Sequence, residues 1–184
     1  MRWVVSAALL LAGLALPGAV RAQDQGVGFL SLLHYGIAAG GIVPAGPQGK
    51  DLRRGVHFGG QVYGETGFGV QFGGEASYTT SPDPLQTRIS EIGLFSRLSP
   101  APEDYRLYVQ LGLGGYGVSY HAGTPRPASV FRPGGSFAIG AEVKQWGNLS
   151  LGGSLAYHGV LVQRHHAVAY SAIRLHLTYQ RLGL

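Results

Sequence analysis

Seven charged residues fall at positions that share one face of extended segments: the acids Glu75, Glu91 and Glu142 and the bases Arg97, Arg106, Lys144 and Arg174. Enclosed in a narrow space, a near-balanced set of this kind satisfies itself as a network of ion pairs and hydrogen bonds and blocks free diffusion. The competing chemistry is a narrow ion path with the same residues as its lining. His34, His57, His158 and His176 share that face and suit hydrogen bonding inside it, with the capacity to charge at mildly acidic pH. His121, His165 and His166 fall in connecting segments. Adjacent His165 and His166 point opposite ways on an extended chain, which chelates poorly, so neither a metal nor another cofactor is expected.

Two motifs that suggest catalysis fail on context. Gly112-Leu113-Gly114-Gly115-Tyr116-Gly117 has the spacing of a dinucleotide fingerprint, but Val118-Ser119-Tyr120 continues it as a strand, and pyrophosphate binding needs a helix N-terminus at that point. Gly152-Gly153-Ser154-Leu155-Ala156 lacks the final glycine of a nucleophile elbow and also lies mid-strand.

The elements that carry these residues are strands. Apolar and polar residues alternate with period two in segments near 28–42, 55–64, 67–79, 87–98, 105–120, 134–145, 148–161 and 168–181, and no segment sustains a helical period. One face is free of charge. It runs through Leu33, Tyr35, Ile37 and Ala39, then Val56, Phe58 and Val62, then Phe68, Val70, Phe72, Ala76 and Tyr78. Leu107, Val109, Leu111 and Leu113 continue it, followed by Phe137, Ile139, Ala141 and Val143, then Leu149, Leu151, Leu155 and Tyr157, and finally Ile173, Leu175, Leu177 and Tyr179. The 31 glycines and 10 tyrosines suit a curved wall whose aromatic rings sit at a membrane interface. Connections alternate between longer (43–54, 80–86, 121–133, 162–167) and tighter (64–67, 99–104, 145–148), as in barrels with short periplasmic turns and longer external loops.

The N-terminus supplies the route. Met1-Arg2-Trp3 precedes an apolar run from Val4 to Leu16 and then Val20-Arg21-Ala22, the plan of a cleaved signal peptide over residues 1–22, leaving one domain over 23–184. No cysteine is present, so disulfides, thiolate metal sites and the lipid anchor of a lipoprotein are excluded. Loss of Arg2 and Arg21 lowers the net charge from +5 to +3, too little to argue for nucleic acid. With 45% hydrophobic residues, 12% charged residues and no long apolar run after Ala22, entry into a bilayer has to be by strands.

This rhythm, with the closing segment Ser171-Ala172-Ile173-Arg174-Leu175-His176-Leu177-Thr178-Tyr179, resembles the family of small eight-stranded outer-membrane β-barrels typified by OmpA and OmpX. The resemblance implies an all-β fold, a single eight-stranded antiparallel transmembrane up-and-down barrel, with both termini in the periplasm. It also implies recognition of the Ile173, Leu175, Leu177 and Tyr179 pattern by the barrel-assembly machinery, although Gln180–Leu184 extend past the terminal aromatic. Some such barrels modify lipid A, for which Ser119 and His121, with Asp51 or Asp83, are the nearest candidates. The order is reversed and no acid is adjacent, so the expectation is a protein that is not an enzyme. The expected role is structural and surface-interacting in the outer membrane, with Lys50, Arg53, Arg54, Arg126 and Arg132 exposed in loops toward lipopolysaccharide or an acidic surface partner. A narrow porin-like channel, a lipid-modifying hydrolase and a soluble periplasmic ligand-binding barrel are the alternatives.

Overall fold

A computed structural model of the chain describes residues 32–45, 52–65, 69–81, 87–99, 105–120, 128–163 and 166–182. They form eight strands: β1 (Leu32–Pro44), β2 (Gly55–Glu65), β3 (Val70–Thr80), β4 (Arg88–Leu98), β5 (Tyr105–Tyr120), β6 (Ala128–Trp146), β7 (Leu149–Gln163) and β8 (His166–Leu182). Each pairs antiparallel with the next, and β8 returns to β1, closing the sheet. Following partners round the wall from His34 through Tyr63, Gly73, Phe95, Gly112, Ser136, His158 and Tyr170 leads back to Pro44, ten residues farther along β1. That stagger tilts the strands by about 40° and leaves a bore that side chains can fill.

Alternation sets the two surfaces. On β8, Ala172, Arg174, His176 and Thr178 are buried while Ile173, Leu175, Leu177 and Tyr179 are exposed. Outside, Leu94 is 75% exposed and Leu175 70%. In water such a wall would be one apolar patch far larger than the few hundred Å² that soluble monomers tolerate, so its compatible solvent is hydrocarbon. Trp146, Tyr105, Tyr35 and Tyr179 ring the end with the short turns, and Phe58, Tyr78 and Tyr157 ring the other. Eight residues separate Tyr179 from Ser171, the partner of Tyr157. At about 3.3 Å per residue and this tilt they span about 20 Å, close to the roughly 25 Å apolar band of outer-membrane barrels.

Three sequence expectations change. β6 begins at Ala128 instead of near 134, so Arg132 belongs to a strand, half-buried, and not to a loop. Pro133 had marked the end of the loop, but pairing with β7 starts only at Gly134, and a residue without an N–H fits that unpaired edge. The last loop-end connection shrinks to residues 164–165, shorter than the turn-end segment 99–104, so the contrast in connection lengths is weaker than it reads in sequence. The interior is also not polar throughout. Ile42, Ile89, Val118, Val160 and Val168, with Leu52 from the first loop, are buried in an apolar cluster at the loop end.

Glycine decides where interior rings fit. Tyr108 lies across from Gly140, where an added Cβ would stand 2.5 Å from the phenol and 2.8 Å from the Gly153 carbonyl. Gly140→Ala therefore overpacks the lumen, and the expected loss is about 1–3 kcal/mol. A lower urea midpoint for the folded band, with Gly147→Ala as a comparison at a position where a Cβ meets no atom within 4 Å but φ is +52°, checks this.

Candidate functional site

The densest chemistry lies inside the barrel. Arg97 is 1% exposed on β4, a position forced inward by its parity with Glu91 and Phe95. Its guanidinium donates to Glu142 Oε1 at 3.0 Å, to Gln61 Oε1 at 3.0 Å, and twice to Gln110 Oε1 at 3.2 and 3.0 Å. The rings of Tyr108, Tyr63 and Phe95 flank its Cζ at 4.0, 4.7 and 5.5 Å. Gln110 Nε2 passes the connection on by donating to Glu75 Oε2 at 3.0 Å, and Glu75 Oε1 accepts from Arg174 at 3.1 Å. Arg174 also donates to Ser154 Oγ at 3.1 Å. The Tyr108 hydroxyl and His176 Nε2 lie 3.0 Å apart, and His176 Nδ1 is 3.6 Å from Glu142.

A second layer sits toward the loop end. Glu91 accepts from Ser77 at 2.8 Å and from the Tyr116 hydroxyl at 2.5 Å, with His158 Nδ1 at 3.2 Å. His158 stacks on Tyr170 at 4.7 Å between centroids, and His57 Nδ1 meets Thr79 Oγ1 at 2.9 Å. Beyond that layer the apolar cluster closes the bore. Toward the turn end Arg106 pairs with Glu65 at 2.8 Å, and His34 Nε2 is 3.4 Å from the same carboxylate.

This arrangement is suited to locking the wall. The Arg97–Glu142 and Arg174–Glu75 pairs are matched and buried, and the Arg106–Glu65 pair is half-buried. Ser119 Oγ donates to Ser129 Oγ at 3.2 Å, while His121, Asp51 and Asp83 lie outside the described residues. His165 lies outside them too. Among the described residues no group of three His, Cys, Asp or Glu could hold a metal ion.

No protein-family model matches the sequence, and no curated protein matches it. Solved structures do. Neisserial surface protein A superposes with a TM-score of 0.65 at 11% identity, over 81% of this chain and 96% of that one. The fold is that of the small eight-stranded outer-membrane barrels. The N-terminal barrel domain of Pseudomonas aeruginosa OprF matches at 0.53 and 14% identity, covering 80% of this chain and 96% of that one. Ail of Yersinia pestis, solved in complex with the heparin analogue sucrose octasulfate, matches at 0.54 and 15%, covering 81% and 96%.

Within this outer-membrane-type barrel, Glu75, Glu91, Arg97, Arg106, Glu142 and Arg174 all enter lumen contacts. Lys144, grouped with them in sequence, does not: it is exposed at the turn-end mouth, with no ion-pair partner among the described residues. The partner of Arg106, Glu65, was missed because Gly64-Glu65-Thr66-Gly67 reads as a turn, although Glu65 continues the inward parity of Tyr63. Of the loop bases, Arg53 and Arg54 are exposed, and Arg53 is tied through its backbone to Ser81 Oγ at 3.2 Å in both directions. Lys50 and Arg126 lie outside the described residues. Arg132, in β6, donates to the Phe131 carbonyl at 3.2 Å. Arg88, exposed at the loop end of β4, was missed because only the inward face of that strand had been read for charge.

Removing one member of a buried pair strands the other. Arg97→Met is expected to lower stability by about 3–5 kcal/mol, and Arg97→Met with Glu142→Gln to lower it by clearly less than the sum of the single changes. Urea titrations of the four proteins in one detergent measure the coupling.

Proposed function

We propose that the chain is an integral outer-membrane protein with a plugged, non-conducting barrel, and that its work is done by the surface it presents at the loop end. The observation that carries this reading is the inverted barrel: an apolar wall outside, a matched polar network inside, and an apolar cluster across the loop-end bore. A bore filled by Arg97, Tyr63, Tyr116 and Tyr170, each 1% exposed or less, supports a barrel that does not conduct ions. Long connections at one end and both described chain ends at the other favour the orientation with loops outside.

The loop-end rim suits a polyanion. Arg54 and Arg88 are exposed there, and neither has an ion-pair partner among the described residues. Lipopolysaccharide phosphates of the surrounding leaflet lie at that height, and a polysulfated sugar is the ligand of one barrel with this fold. Each such cation contributes about 1 kcal/mol near an anionic surface, so Arg54→Gln with Arg88→Gln should weaken binding to purified lipopolysaccharide roughly 30-fold at low salt.

Two measurements test the whole reading. The protein should stay with membranes through alkaline extraction and shift in gel mobility on boiling; recovery in a detergent-free soluble fraction would favour a periplasmic ligand-binding barrel. In planar bilayers it should give no steady single-channel steps, and steps abolished by neutralising Arg106 or Arg174 would establish a pore instead.

A further inference from the structure

We propose that the turn-end mouth of the lumen is a binding site for a small oxyanion, phosphate or carboxylate, held by Lys144 and Arg106. A cavity of about 220 Å³ opens there, lined by His34, Arg106, Lys144, Asn148, Ser150 and Gln180. Its acidic wall residue, Glu142, is 5% exposed and engaged by Arg97 at 3.0 Å. Glu65 is likewise engaged by Arg106 at 2.8 Å. With Arg97 set against Glu142 and Arg106 against Glu65, the ammonium of Lys144 has no hydrogen-bond or ion-pair partner among the described residues.

A second feature points into the same space. His34 is 3% exposed and stacked flat on Tyr63 at 4.6 Å, and its Nε2 stands 3.4 Å from the Glu65 carboxylate without completing a hydrogen bond. An oxyanion there would meet a fixed ring, a flexible ammonium and one edge of a guanidinium, flanked by amide and hydroxyl groups from Asn148, Ser150 and Gln180. The Gly147-Asn148 turn, with Gly147 at φ +52°, sets Asn148 and Ser150 beside the mouth. This site lies at the end of the barrel opposite the cationic rim and does not depend on that rim's role.

The test uses the full chain folded in a maltoside detergent, which carries neither phosphate nor carboxylate. Inorganic phosphate and N-acetylglycine are titrated separately at constant ionic strength, with chloride as reference, while NMR follows the His34 ring and the amides of Asn148 and Ser150. A saturable shift with both probes supports an oxyanion site. Saturation with phosphate alone supports a phosphate-bearing ligand, and with N-acetylglycine alone a carboxylate-bearing one. Lys144→Gln should weaken binding at least tenfold and Lys144→Arg should retain it, with gel mobility confirming that each barrel is folded. Shifts no different from chloride, or equal affinity in Lys144→Gln, would overturn the proposal.

Discussion

A sheet surrounded by hydrocarbon cannot leave a row of backbone amides without partners, because the solvent offers none and each orphaned group costs several kcal/mol. Pairing β8 with β1 from Leu32–Leu182 to Pro44–Tyr170 meets that constraint. Everything else follows from how the closure is made. A stagger of ten residues over eight strands fixes the bore, and the bore fixes how many large side chains the inside accepts.

The interior then faces a constraint of its own. Side chains that alternate away from lipid are enclosed, so their polar atoms have to find one another. Arg97 shows how far this goes: its hydrogen bonds reach β2, β5 and β6, and through Gln110, Glu75 and Arg174 the same chain of contacts reaches β3, β7 and β8. Three aromatic rings around the guanidinium add attraction that does not compete for its N–H groups. At the loop end the solution differs, since Ile42, Ile89, Val118, Val160 and Val168 there are branched and apolar and need no partners.

Period-two patterning made the fold readable, because lipid on one side and a packed bore on the other oppose the two faces all along each strand. The same logic placed Glu75, Arg97 and Glu142 inside. It could not pair them, since Arg174 and Glu75 lie 99 residues apart in sequence and meet only through the stagger of the closed sheet. Ile89 and Val118 escaped notice because an apolar residue facing inward breaks the rule used to orient the faces. Pro133 misled for a local reason, being a strand residue paired with β5 just before the β7 ladder begins, and Arg132 was misplaced with it. Glu65 was lost to a turn assigned one residue too early.

The closing seam also governs the order of events in folding. β1 is the first described strand in the chain and β8 the last, so their contact has the largest sequence separation of the described strand pairs and cannot form until the final strand is delivered. Neighbouring hairpins join residues close in sequence and form early, whereas the seam carries the entropy of a loop of well over a hundred residues and forms late. Until it does, the growing sheet has two open edges and an apolar face, the features that drive strands of different molecules together. Completion of the barrel is therefore a kinetic race between closure inside the bilayer and aggregation outside it.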